Sequence, residues 1–230
     1  GAEFGGITEF LCEKCSGVTV AEVSRFLAEQ MFLRYKEKKN LHIFAGNFND
    51  MRFDKKFDYI ILTDVGKYAG KLFFDQHSFK VFLEKLNRLL SLGGKLLMTA
   101  QNCYGLRFWQ KSGADVTVFN SDDTGRAFSR EELNRLLTSS GYTFTDFYYP
   151  YPTDRLPLAI YSDRFLPHPC DAARIREFYW EEAPFLSQQK NFIRDIMEND
   201  VFPFFCHSFF VEAGRENPEG VGVVGLHNVW

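Results

Sequence analysis

The sequence predicts an α/β protein built on a doubly wound, mostly parallel sheet with helices on both faces. Three observations predict it. Strand-like and helix-like segments alternate from Gly1 to Tyr149, at intervals of roughly 20 to 40 residues. F-D-Y-I-I-L-T-D-V (Phe57 to Val65) is a nearly unbroken apolar run, as expected of a strand buried on both faces of a parallel sheet. G-A-E-F-G-G runs straight into a helical pattern, and such a turn normally follows the first strand of a sheet of this kind.

The elements follow in order. Ile7, Phe10 and Leu11 recur at helical spacing. V-T-V-A-E-V (Val18 to Val23) is β-branched and reads as a strand. Arg25 to Tyr35 reads as a helix with Phe26, Leu27, Met31 and Phe32 along one side. L-H-I-F-A-G (Leu41 to Gly46) is a strand, and Phe57 to Val65 is the next. Phe79, Phe82, Leu83, Leu86, Leu89 and Leu90 form a wide helical stripe that Gly93 and Gly94 stop. K-L-L-M-T-A (Lys95 to Ala100) is a further strand. Ser129 as N-cap with Glu132 three residues on makes a capping box, Phe128 and Leu133 take staple positions, and Gly141 closes that helix. Y-T-F-T-D-F-Y-Y (Tyr142 to Tyr149) alternates like a strand.

After Tyr149 the periodicity stops at a proline-rich stretch. The expected organisation is a core over 1–149, a helical insertion or lid over 150–203 and a last core strand over 204–213. Residues 214–230 form a glycine-rich tail. Helical stretches are expected within the insertion at Asp171 to Trp180 and Ser187 to Glu198.

Composition narrows the function. A net charge of −3 supplies no broad basic field for nucleic acid. No apolar run approaches the roughly 20 residues of a membrane span. Cys12 and Cys15 form a CxxC without a second pair at zinc-ligand spacing, and no carboxylate–histidine cluster points to a metal, so no metal site is expected. A reduced, cytoplasmic setting is expected from this cysteine usage.

The opening glycines point to a ligand. A glycine turn before a helix lets backbone approach a bound group, and the helix start adds N–H donors. This makes Gly1, Ala2, Glu3 and Gly5 candidate cofactor contacts, with a strand expected ahead of Gly1. The plainer account is a loose N-terminal loop. Glu22 lies 17 residues after Gly5, at the end of the next strand. An acidic residue there can accept hydrogen bonds from both ribose hydroxyls of a nucleotide-like cofactor. A dinucleotide fits less well than S-adenosylmethionine, because Glu3 would face a pyrophosphate in the partial G-x-G-x-x-G.

Taken together, the segments resemble class I S-adenosylmethionine-dependent methyltransferases over roughly Gly1 to Tyr149. G-A-E-F-G-G-I-T resembles the tail of the family's first motif, and V-A-E-V its acidic ribose-binding motif. F-A-G-N-F resembles the segment flanking the adenine, and F-D-Y-I-I-L-T-D-V the fourth-strand motif. L-N-R-L-L-S-L-G-G-K-L-L-M-T and R-A-F-S-R-E-E-L-N-R-L-L-T-S-S-G-Y resemble later elements. The resemblance implies ribose contacts at Glu22 and Val23, adenine contacts at Asn47 and Phe48, and contacts near the methionine side at Asp64 and Val65. It implies S-adenosylmethionine as donor, with S-adenosylhomocysteine as product. F-Y-Y-P-Y-P-T-D-R-L-P with I-Y-S-D-R-F-L-P resembles a bacterial subgroup associated with glycosyltransferases of cell-surface polysaccharide synthesis. That implies a small-molecule or saccharide acceptor and a glycosyltransferase partner.

Methyl transfer to oxygen needs alignment and, for some acceptors, a general base. Asp64, Tyr68 and His77 are the catalytic candidates, and Asn102 is the candidate substrate contact; all follow the fourth and fifth strands of that pattern. Glu3 and Lys67 depart from the family pattern. A silent methyltransferase-like binding module therefore stands as the alternative, and a dinucleotide oxidoreductase as a more distant one.

Overall fold

The structure, a computed structural model, describes residues 2, 5–63, 65, 76–105, 126–152, 154, 157–174 and 186–215. The chain divides into two compact units, Gly1–Lys56 and Phe57–Trp230.

The first unit carries helix α1 (Thr8–Lys14), strand β1 (Val18–Glu22), helix α2 (Arg25–Arg34) and strand β2 (Leu41–Ala45). β1 and β2 pair in parallel from Val18↔Leu41 to Glu22↔Ala45, so α2 is the crossover of a βαβ unit. Its core gathers Cys12, Val18, Val20, Met31 and Tyr35. Both helices bury only part of the expected stripe: Leu11 of α1 and Met31 of α2 pack against this core. In α1, Ile7 and Phe10 are exposed while Thr8 and Cys12 are buried. In α2, Phe26 and Phe32 are exposed, and Ala28 and Met31 are buried. Apolar residues occupy several sides of α2, so period alone cannot choose its inner face. Ser24 caps α2 by accepting the Leu27 N–H at 3.4 Å.

The second unit carries β3 (Phe57–Leu62), α3 (Gln76–Leu89), β4 (Leu90–Gln101), α4 (Arg130–Ser139) and β5 (Phe144–Tyr151). They are followed by β6 (Ala159–Ser162), α5 (Leu186–Glu198), the short α6 (Phe202–Phe205) and β7 (Ser208–Gly214). The strands form one five-stranded sheet in the order β3-β4-β7-β5-β6. β3 and β4 are parallel. β7 runs antiparallel to both its neighbours, β4 and β5, and β6 is antiparallel to β5. Thus β3, β4 and β5 share one direction, while three of this sheet's four ladders are antiparallel. That is fewer parallel ladders than the sequence pattern predicts, because inserting one reversed strand converts two ladders at once.

The α3 stripe packs as expected, with Phe79, Leu83 and Leu86 buried, each worth about 1.5–3 kcal/mol of transfer free energy. β4 starts directly after α3, earlier than the glycines imply. Phe57 pairs with Leu90 and Tyr59 with Lys95, so residues 91–94 bulge out of the ladder. Gly94 is required there: a Cβ would lie 2.9 Å from the Phe57 carbonyl oxygen and 3.0 Å from Ser91 backbone.

β3 departs from the expected double burial. Tyr59 is 58% exposed and Ile61 37%, as an end strand of the five-stranded sheet permits. The predicted α4 start holds: Ser129 accepts the Glu132 N–H at 3.1 Å, and Phe128 and Leu133 are fully buried. The last strand begins at Ser208, not Phe204; Phe204 and Phe205 belong to α6, which has proline in its first turn. The expected insertion also holds sheet structure, since β5 continues to Tyr151 and pairs Pro150 with Ile160 of β6. Proline at a sheet's margin is tolerated where no ladder N–H is needed. Of the predicted helices, Ser187 to Glu198 corresponds to α5, while Asp171 to Trp180 opens as a 3-10 turn (Pro169–Arg174), its remainder lying outside the described residues.

Candidate functional site

In the first unit, the candidate residues gather at the carboxyl ends of β1 and β2, where open α/β sheets bind ligands. Glu22 is the last residue of β1 and is 3% exposed. Its Oε1 accepts the Ser24 N–H at 3.1 Å, which fixes the carboxylate against the start of α2. The Glu22 carbonyl accepts the Gly46 N–H at 2.9 Å and ties the two strand ends together. Asn47 follows at the exit of β2. Its Oδ1 accepts the Asn49 N–H at 3.0 Å and caps a 3-10 turn, Phe48–Asp50. Phe48 is half-buried and lies 5.9 Å from the Phe53 ring, which Phe44 meets edge-on at 5.8 Å. Phe44 and Phe53 were not singled out from the sequence; the recurrence of phenylalanine through F-A-G-N-F-N-D-M-R-F was the available signal. Val23 is 45% exposed beside Glu22.

The glycine turn is held from within. Asn40 Nδ2 donates to the Cys12 and Cys15 carbonyls at 2.8 and 3.0 Å, which places the last turn of α1 at the amino end of β2. Gly5 has φ +78, and a Cβ there would stand 2.8 Å from a Tyr35 ring carbon. The Tyr35 hydroxyl donates to the Gly5 carbonyl at 2.9 Å. Glycine at this position is thus explained by packing against α2. Ala2 packs against the same core. Gly1 and Glu3 lie outside the described residues.

In the second unit, Val65 is buried after β3. Asp64 and Tyr68 lie outside the described residues, as does the side chain of His77 at the start of α3. Asn102, just past β4, is 1% exposed. Its Nδ2 donates to the Phe204 and Cys206 carbonyls, both at 2.7 Å, and its Oδ1 accepts the Tyr104 N–H at 3.1 Å. The amide is engaged in joining the β4 exit to the α6–β7 connection. Burial pushes the Cys206 and Cys103 thiols up, away from the thiolate form. Burial also raises the Tyr149 phenol, and its hydrogen bond to Asp163 acts in the same direction. Among the described residues no group of three or more His, Cys, Asp or Glu could hold a metal ion, and no helix is long and apolar enough to cross a membrane.

No protein-family model and no curated protein matches the chain. Solved structures do. An S-adenosylmethionine-dependent methyltransferase from Clostridium acetobutylicum is similar over 94% of this chain and 82% of its own, at 12% identity and a TM-score of 0.55. The glycopeptide N-methyltransferase MtfA is similar over 94% of this chain and 81% of its own, at 14% identity and a TM-score of 0.53. The N-methyltransferase NodS from Bradyrhizobium japonicum reaches 20% identity with a TM-score of 0.47; the match covers 62% of this chain, which spans 63% of NodS. The first two likenesses show the fold: an α/β, Rossmann-like fold of the kind found in S-adenosylmethionine-dependent methyltransferases.

Proposed function

We propose that this chain is an S-adenosylmethionine-dependent methyltransferase that methylates an oxygen of a small-molecule or saccharide acceptor. The observation that carries the reading is Glu22, a buried carboxylate at the carboxyl end of a parallel strand in a methyltransferase-like fold. Its position suits two ribose hydroxyls, which donate and need an acceptor. Phe48 offers a ring face and Asn47 a polar group to the adenine, Val23 follows Glu22 at the end of β1, and Gly1, Ala2, Glu3 and Gly5 complete the proposed cofactor contacts. The donor supplies a methyl carbon already activated on a sulfonium, so the chemistry calls for alignment and not for a metal. The family resemblance supports roles for Val65 and Asp64 toward the methionine part of the donor, and for Asp64, Tyr68 or His77 in taking the proton of an oxygen acceptor. A cytoplasmic chain working beside a glycosyltransferase fits the saccharide reading, with residues 150–203 as a helical insertion or lid.

Calorimetry with S-adenosylhomocysteine tests the reading. The wild-type chain binds, and Glu22→Ala loses two charge-assisted hydrogen bonds of about 1.5 kcal/mol each, on the order of a hundredfold in affinity. Unchanged affinity in Glu22→Ala would sink the ribose assignment. Absence of binding by the wild type would sink the methyltransferase reading and leave the silent module.

A further inference from the structure

Asn102 fixes two segments that each present an aromatic ring. The Tyr104 N–H bonds to its Oδ1, and the Phe204 carbonyl bonds to its Nδ2. One buried amide therefore sets the backbone positions of both residues. The two rings stack with centroids 4.6 Å apart and planes 12° from parallel. Phe205 meets Phe204 edge-on at 4.9 Å and braces it from the same short helix. Such a pair resists reorientation, because its backbones are tied and its rings lock one another.

The pair is nevertheless at the surface. Tyr104 is 40% exposed and Phe204 50%. Tyr149, Tyr151 and Phe202 of the same unit are at 5% exposure or less, while Tyr59, Phe165 and Phe192 are exposed. What distinguishes the Tyr104–Phe204 pair is its stacking, its tie to Asn102 and its place. Tyr104 follows β4, which is parallel to β3, so the pair stands beyond the carboxyl end of that parallel ladder, on the side where open α/β sheets hold their ligands.

We propose that the stacked Tyr104–Phe204 pair is the platform on which the acceptor of this methyltransferase rests the flat apolar face of a ring. The proposal rests on the methyltransferase reading for the word acceptor, but not for the binding itself. Two ligand sources share the chemistry, an aryl ring and the C–H face of a pyranose. Both lie flat on aromatic faces and gain contact area with little ordering cost, because the platform is already rigid. Asn102 acts here as a positioning residue.

Saturation-transfer difference NMR on the full chain tests this, with phenyl β-D-glucopyranoside as probe because it carries both ring types. The variants are Phe204→Ala, Tyr104→Ala, Phe204→Leu and Tyr104→Phe, each also titrated with S-adenosylhomocysteine by calorimetry. The wild type transfers saturation to the probe, most strongly to aryl protons for an aryl acceptor and to pyranose protons for a saccharide. Loss of stacking weakens binding about tenfold or more in both alanine variants. Phe204→Leu, which keeps apolar bulk without a ring face, loses the signal too, and Tyr104→Phe keeps it. S-adenosylhomocysteine affinity stays within twofold of wild type throughout. Equal saturation in wild type and alanine variants overturns the platform, as does a wild type that transfers none to either half. A wild type that ignores S-adenosylhomocysteine yet shows the ring-dependent signal overturns the methyltransferase reading and leaves the platform standing.

Discussion

Replacing Asn102 by alanine removes three hydrogen bonds at once. The carbonyls of Phe204 and Cys206 each lose a donor at 2.7 Å, and the Tyr104 N–H loses an acceptor at 3.1 Å. The Cys206 bond is buried, so that carbonyl bears most of the desolvation cost, about 1–3 kcal/mol. The other two are part-buried, and water recovers roughly half of the cost for each. The sum is about 3 kcal/mol. At a urea slope of about 3 kcal/mol per molar, the unfolding midpoint falls by about 1 M. Asn102→Asp discriminates the cause. It keeps the acceptor for Tyr104 but turns a carboxylate oxygen toward two carbonyl oxygens, so it destabilises at least as much as alanine. Urea unfolding followed by circular dichroism reads both variants. An alanine variant within about 1 kcal/mol of wild type, or an aspartate variant as stable as wild type, would refute the donor role of this amide.

Three further predictions follow from buried polar groups. Lys95→Met strands the Glu212 carboxylate, whose side chain is 3% exposed, and should cost about 3–5 kcal/mol in denaturant unfolding; Lys95→Met with Glu212→Leu should recover most of it. Burial raises the phenols of Tyr142, Tyr149 and Tyr151 above their ordinary value of 10.0. Above pH 10 the folded chain then holds protons that the unfolded chain releases, so stability falls as pH rises further. Ultraviolet titration should show these three ionising only with unfolding, and Tyr142→Phe should lessen the alkaline loss. Cys170 is exposed, whereas burial pushes up the thiols of Cys12, Cys103 and Cys206. Timed alkylation with peptide mapping should label Cys170 ahead of those three.

Much of the fold was legible where local chemistry decides it. The Ser129 cap, the Phe128 and Leu133 staple and the α3 stripe are set within a few residues of themselves, and the structure holds them. Strands β1 and β2 were legible from the β-branched V-T-V-A-E-V and the apolar L-H-I-F-A-G, and with them the strand ends that carry Glu22, Asn47 and Phe48. What escaped depends on distant partners. Nothing near α2 says that Ala28 joins Met31 inside while Phe26 and Phe32, on the same predicted stripe as Met31, stay outside. The prolines after Tyr149 hide the continuation of β5, because a strand is recognised by alternation and proline interrupts it.

Asn102 and Gly5 show why a candidate site is harder to read than a fold. Asn102 stands at a strand end, where a ligand contact and an internal clamp use the same amide. Its partners are Phe204 and Cys206, 102 and 104 residues further along the chain, so only folded geometry reveals the clamp. Gly5 lies in a glycine-rich turn of the kind that cradles anions, yet the atom a side chain would strike belongs to Tyr35, 30 residues away. A glycine reports that something approaches closely, and the sequence does not say what. Glu22 is a different case. Its carboxylate is 3% exposed at the carboxyl end of β1 and accepts the Ser24 N–H, so a fold role and a ligand role are separated by experiment. On the ribose reading, Glu22→Gln keeps an acceptor for the Ser24 N–H, leaves unfolding within about 1 kcal/mol of wild type and weakens S-adenosylhomocysteine binding. A variant that loses stability and keeps its affinity would assign Glu22 to the fold instead.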